Sequence, residues 1–170
     1  MNAKRKSPSI PSRMSLAVAL RDACEENAML LRRVRFDSGR LVDGWLGGGC
    51  LIAAEAFSRV VPQAKLAMIW GTFGDYTEDV LHVAAEYEGL LFDAEGAAPL
   101  PDTLEQWALA DNGLSEFVMT EDDRGILDGD DDMEFWVERG ASLNRVRELG
   151  IPFSEAACNR LAAAIRRKLR

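Results

Sequence analysis

Histidine and cysteine are scarce in this chain of 170 residues: it holds one histidine, His82, and three cysteines. A single imidazole with no CxxC or HxxxH pair leaves a tetrahedral zinc site without ligands. Cys24, Cys50 and Cys158 are too few and too scattered for a disulfide framework. No run approaches the roughly 18 to 20 consecutive apolar residues that a membrane span needs, and the N-terminus lacks the apolar stretch of a signal peptide. The expectation is a cytoplasmic protein with no membrane partner, unless an unrecognised route exports it. Basic residues are nearly missing from one long tract, since residues 75–138 hold twenty acidic side chains and one basic. A nucleic-acid partner needs a contiguous basic surface, so that class is excluded.

What is present suffices for one folded unit, because 48% of the residues are hydrophobic. Residues 1–13 carry Lys4, Arg5, Lys6, Pro8 and Pro11 with few apolar groups, and read as a flexible basic arm before a single domain over 14–170. Leu16, Leu20 and Cys24 recur at helical spacing and predict a helix from Met14 to Arg33. Gly47, Gly48 and Gly49 cannot lie inside a helix, so Cys50 opens the apolar helical run that follows and ends near Pro62. A strand is expected over Leu66–Trp70. A hairpin follows, with strands Val80–Tyr87 and Leu90–Ala94 joined at Glu88-Gly89. Short helices are expected from Pro101-Asp102 through Leu109, over Ser142–Leu149 and over Ser154–Leu169. The fold class is therefore α+β.

A thiol becomes a nucleophile where its thiolate is favoured, and the amide-rich start of a helix favours it. Cys50 has that position, and the glycines before it would let a substrate carbonyl approach while the Cys50 N–H donates to a developing oxyanion. Cys24 and Cys158 sit in apolar helical patterns and read as buried packing residues. A two-residue turn at Glu88-Gly89 pairs Tyr87 with Leu90 and Ala85 with Phe92, and strand alternation then sorts the hairpin into two faces. Val83, Ala85, Tyr87, Leu90, Phe92 and Ala94 share the apolar face; His82, Ala84, Glu86, Leu91, Asp93 and Glu95 share the other. Asp93 is then a diagonal neighbour of His82 and Glu95 its direct partner, so either carboxylate can orient the ring.

Cys, His and Asp in that order, on a helix start and two adjacent strands, resemble the papain-like fold superfamily. It includes papain-type peptidases, transglutaminase-like proteins and NlpC/P60-like cell-wall peptidases. Gly48-Gly49-Cys50, Leu81-His82-Val83 and Leu91-Phe92-Asp93-Ala94-Glu95-Gly96 are similar to segments of small bacterial members, and the resemblance covers about residues 44–107. It implies a helix opening with the nucleophilic Cys, packed on a small antiparallel sheet. It further implies Cys50 as nucleophile, His82 as base and then acid, and Asp93 as the orienting residue of a triad that works without cofactor or metal. The expected activity is amide hydrolysis or acyl transfer on a peptide or protein through a thioester. Papain-type members place a Gln before the Cys as an oxyanion donor, and no Gln occurs between Met1 and Cys50. The Trp45 indole N–H or a loop amide would have to serve.

The competing reading is a non-catalytic interaction module, a binding partner or immunity-like protein whose acidic 75–138 surface meets a basic partner. Alternatively, that surface is masked by the basic C-terminal helix, since residues 139–170 carry eight basic and two acidic side chains. The run Asp128–Glu134 invites a calcium loop, but an EF-hand needs Gly where Met133 stands and Glu where Arg139 stands. It reads as a solvated loop. Trp107, Phe135 and Trp136 read as core.

Overall fold

Ser12 opens the first helix: its backbone is extended and its side-chain oxygen accepts the Ser15 N–H at 3.1 Å. The computed structural model describes residues 11–73, 77–99 and 135–170. Helix α1 spans Arg13–Glu26 and buries Leu16, Leu20 and Cys24. It stops seven residues short of the predicted Arg33, because the Asn27 side chain turns back onto the Ala23 carbonyl at 2.8 Å and Ala28–Arg33 continues as a 3-10 helix. An amide that competes for its own backbone in this way ends the regular ladder.

Helix α2, Cys50–Val60, starts at the cysteine as the glycine run requires, and Cys50, Leu51, Ile52, Ala53, Ala54, Ala56 and Phe57 are all buried. Helix α3 is Leu143–Glu148, capped by Ser142, and α4 is Glu155–Lys168, capped by Ser154 as expected. Alanines on α2 and α4 let these two helices lie close together in the core. Arg59 locks them, donating to Glu55 at 2.9 Å, to Glu155 at 2.5 Å and to Asn159 at 2.8 Å.

Strands β1 (Lys65–Phe73), β2 (Thr77–Tyr87), β3 (Leu90–Asp93), β4 (Gly96–Pro99) and β5 (Phe135–Ala141) form one antiparallel sheet in the order β4-β3-β2-β1-β5. The chain is α+β. Glu88 and Gly89 both have positive φ, 51° and 77°, so the turn is of the tight hairpin kind and pairs Tyr87 with Leu90 and Ala85 with Phe92. Strands β4 and β5 were not predicted.

Leu66, Met68, Trp70, Val83, Ala85, Tyr87 and Phe92 belong to the core shared with the helices. Phe57 of α2 stacks on Phe92, with ring centroids 4.5 Å apart. Ala67, Ile69, Ala84 and Leu91 form a second cluster with Leu46, Leu81 and Val137 against it. Trp136 is half-buried and stacks on Trp70 at 5.9 Å.

At the basic end of α4, two side chains have partners outside the acidic tract. Lys168 pairs with Glu26 of α1, and Arg166 donates to the Arg59 carbonyl at 2.7 Å. Within the tract, Glu86 pairs with Arg139, and Glu138 lies 4.0 Å from Arg145. Helix 102–109, Trp107, the acidic loop and residues 128–134 lie outside the described residues, as does most of the basic arm. Among the described residues no helix is long and apolar enough to cross a membrane.

Truncating Phe57 to Ala removes the α2 side of the Phe57–Phe92 stack at a fully buried site. Chemical denaturation is expected to show a loss of about 3–5 kcal/mol; a loss below about 1 kcal/mol contradicts this packing.

Candidate active site

The segment leading to Cys50 folds back on itself twice. Arg35 bridges Leu41 and Asp43 bridges Gly47, and the Gly49 N–H donates to the Gly44 carbonyl at 3.1 Å. The glycines serve this turn. A Cβ on Gly47 would stand 2.0 Å from the Asp43 carbonyl oxygen, and Gly48 has φ 107° with the Phe36 ring against it. The run is therefore spent on the chain's own close approach, which corrects the expectation that it opens space for a substrate carbonyl. The first helical bond is Ala53 N–H to the Gly49 carbonyl at 3.1 Å, so the amides of Cys50, Leu51 and Ile52 all precede it. Their dipoles converge at the thiol end of α2.

His82 comes to the site through an irregular strand. In β2 it pairs with Ile69, but Trp70 pairs with Val80, so Leu81 is an extra residue in a β-bulge. Leu81 packs over Gly71 and with the second cluster. The pairing with Ile69 sets His82 on the strand positions that alternate with Val83, as the hairpin register predicts. Strand β3 ends at Asp93, while β2 continues on to Thr77. Trp45 lies in the core on the helix side and Leu46 packs with the second cluster. The turn before Cys50 thus places side chains in both clusters.

His82 Nε2 lies 3.3 Å from Asp93 Oδ2, a buried contact in which the ring N–H donates to the carboxylate. The Cys50 side chain also acts on the His82 ring, favouring its charged form. The Glu95 N–H donates to Asp93 Oδ1 at 2.9 Å, fixing the carboxylate so that its other oxygen meets the ring. Sequence reading missed this role, although Asp93-Ala94-Glu95-Gly96 carries its signal, an Asp whose side chain accepts from the amide two residues on. The carboxylate at Nε2 is that of Asp93; the Glu95 side chain is exposed.

All three groups are sequestered, with Cys50 7%, His82 1% and Asp93 3% exposed. Burial is the largest influence on the imidazole and disfavours its charged form. Hydrogen bonds to Asp93 and Cys50, and the negative charge each can carry, outweigh it and raise the ring from its ordinary 6.5 to about 9. Burial pushes Cys24 well up, with the Asp93 charge adding to it, and burial pushes Cys158 up to about 12 against the nearby Arg59.

The Trp45 indole, expected as an oxyanion donor, is committed elsewhere: Nε1–H donates to the Cys24 carbonyl at 2.7 Å. The helix-start amides are what remain for that task. Among the described residues no cluster of three or more His, Cys, Asp or Glu side chains could hold a metal ion. No protein-family model, curated protein or solved structure matches the chain.

Because the chain has one imidazole, proton NMR can follow it without ambiguity. The ring is expected to titrate near 9, and Asp93→Asn, which keeps a hydrogen-bonding oxygen but removes the charge, to lower the midpoint by about one pH unit. A wild-type midpoint near 6.5 contradicts this electrostatic account.

Proposed function

We propose that this chain is a thiol-dependent amide hydrolase or acyltransferase of papain-like architecture, acting through Cys50, His82 and Asp93. The observation that carries the reading is the run of contacts from the Cys50 thiol at a helix start, through the buried His82 ring, to an Asp93 carboxylate braced by a backbone amide. Packing alone gives no reason to set a thiol beside a buried imidazole that a carboxylate keeps charged.

In this reading the Cys50 proton resides on His82, giving a thiolate–imidazolium pair, and the thiolate sulfur attacks a substrate amide carbonyl. The carbonyl π pair moves onto oxygen, which the amides opening α2 stabilise. As the intermediate collapses, the C–N bond breaks and His82 protonates the leaving nitrogen, producing an amine and a thioester on Cys50. Water, deprotonated by His82, then attacks the thioester, releasing the acid and restoring the thiol. An amine in place of water gives acyl transfer. Applied to a side-chain carboxamide, the same steps give deamidation. Asp93 holds the ring orientation and stabilises its charged form, as the third group of such a relay does.

The competing interaction-module reading has less support, because Glu86 and Glu138 of the acidic tract already have arginine partners within the chain.

Iodoacetamide at pH 7 is expected to modify Cys50 first, since Cys24 and Cys158 stay neutral. His82→Ala should slow that modification at least tenfold. Three equally inert thiols sink the catalytic reading and favour the module. With a peptide electrophile, Cys50→Ser should abolish covalent capture while the fold persists; adducts persisting on Cys24 or Cys158 defeat the assignment. Activity that depends on the His82 proton for the leaving group should fall as pH rises through about 9, the direction expected for a raised imidazole.

A further inference from the structure

The loop that ends at Cys50 is closed by its own backbone, through Asp43 N–H to the Gly47 carbonyl at 2.8 Å and Gly49 N–H to the Gly44 carbonyl at 3.1 Å. Neither bond ties the loop to the helix packed on the other arm of the site. Among the described residues, the side-chain hydrogen bond that joins this loop to a helix comes from Trp45, whose Nε1–H donates to the Cys24 carbonyl in the last turn of α1 at 2.7 Å. Trp45 is buried, and its Cα lies so close to Gly49 that a Cβ there would approach it to 2.9 Å. Movement of Trp45 is therefore passed to the residue that precedes Cys50.

The same turn of α1 reaches the other arm. The Cys24 thiol lies in the field of Asp93, and α1 packs on β3 and β4. One turn of helix thus references both the loop that carries the thiol and the strand that carries the carboxylate.

We propose that Trp45 is a positioning residue for Cys50: by hanging the loop on the Cys24 carbonyl, it sets the thiol against the His82 ring. The inference rests on the reading of Cys50 as nucleophile. Small errors matter here, because a misplacement of about 1 Å can cost a reaction about a hundredfold. The Cys24 carbonyl also accepts the Asn27 N–H at 3.2 Å, so deleting the indole donor leaves that buried oxygen with a partner and the end of α1 intact.

The test uses Trp45→Phe and, at the same position, β-(3-benzothienyl)alanine, which keeps the bicyclic shape and replaces the N–H with sulfur. Two readouts are taken: the iodoacetamide labelling rate of Cys50 and the NMR titration of His82. Both variants should slow labelling about tenfold to a hundredfold. Both should also lower the His82 midpoint from about 9 by about one pH unit, as the thiol leaves the ring, while the unfolding midpoint stays near wild type. If Trp45→Phe fails to fold, the isosteric variant carries the test. Unchanged labelling and midpoint overturn the proposal, and so does slower labelling with an unchanged midpoint, since the thiol then has not moved from the ring. A lowered midpoint in a protein whose wild-type Cys50 labels no faster than Cys24 and Cys158 upholds the positioning role and removes the nucleophile. Selective wild-type labelling that neither variant alters does the reverse.

Discussion

The arrangement of the site depends on the tight turn at Glu88 and Gly89, which lies away from the chemistry. With both residues at positive φ, the turn commits β2 and β3 to one register, Tyr87 opposite Leu90 and Ala85 opposite Phe92. A slip of one residue would exchange the faces of β3 against β2. Phe92 would then leave the stack with Phe57, and Asp93 would leave the diagonal that brings its carboxylate to His82. Core packing and the charged contact therefore select the same register. The bulge at Leu81 adds a local adjustment just beyond the last β3 pairing, where β2 carries the imidazole.

Keeping an imidazole and a carboxylate out of water is costly unless each stabilises the charged form of the other. Here the carboxylate has the ring on one oxygen and a backbone amide on the other, and the ring has contacts from two acidic groups. The balance falls on the side of charge. Cys24 and Cys158 mark the contrast: each is buried in a helix, desolvation dominates both, and both are held as neutral thiols. Of the three cysteines, Cys50 is the one whose side chain acts on the imidazole.

The elements set by local chemistry were legible in the sequence. Ser154 before α4, glycines before α2 and the Glu-Gly turn all act within a few residues, and the corresponding starts are close to expectation, whereas the Ser12 cap of α1 was placed in the arm. The meeting of His82 with Asp93 followed from that register, and Cys50 was joined to them by the helix start and the resemblance. Features that depend on distant partners were not legible. Gly96-Ala97-Ala98-Pro99 has little strand propensity and is a strand because β3 pairs with it. β5 pairs with a strand far back in the chain, and no periodicity announces that pairing. The 3-10 segment after Asn27 and the tie from Trp45 to Cys24 each depend on a single hydrogen bond. The glycine run pointed to the correct helix start for an incomplete reason, because the space it creates is filled by Asp43, Phe36 and Trp45.

The order of strands also bears on how the chain reaches this state. β1 through β4 pair each with the next, so those four form a meander of near-neighbour contacts, whereas β5 adds to the far edge by pairing Trp70 with Trp136. Loop-closure entropy makes the distant pairing the slower one. The meander, which carries both His82 and Asp93, is thus expected to acquire protected amides before β5 docks, in pulse-labelled hydrogen exchange during refolding. The half of the site borne by the sheet is then built from near-neighbour pairings, while β5 closes the sheet through a distant one.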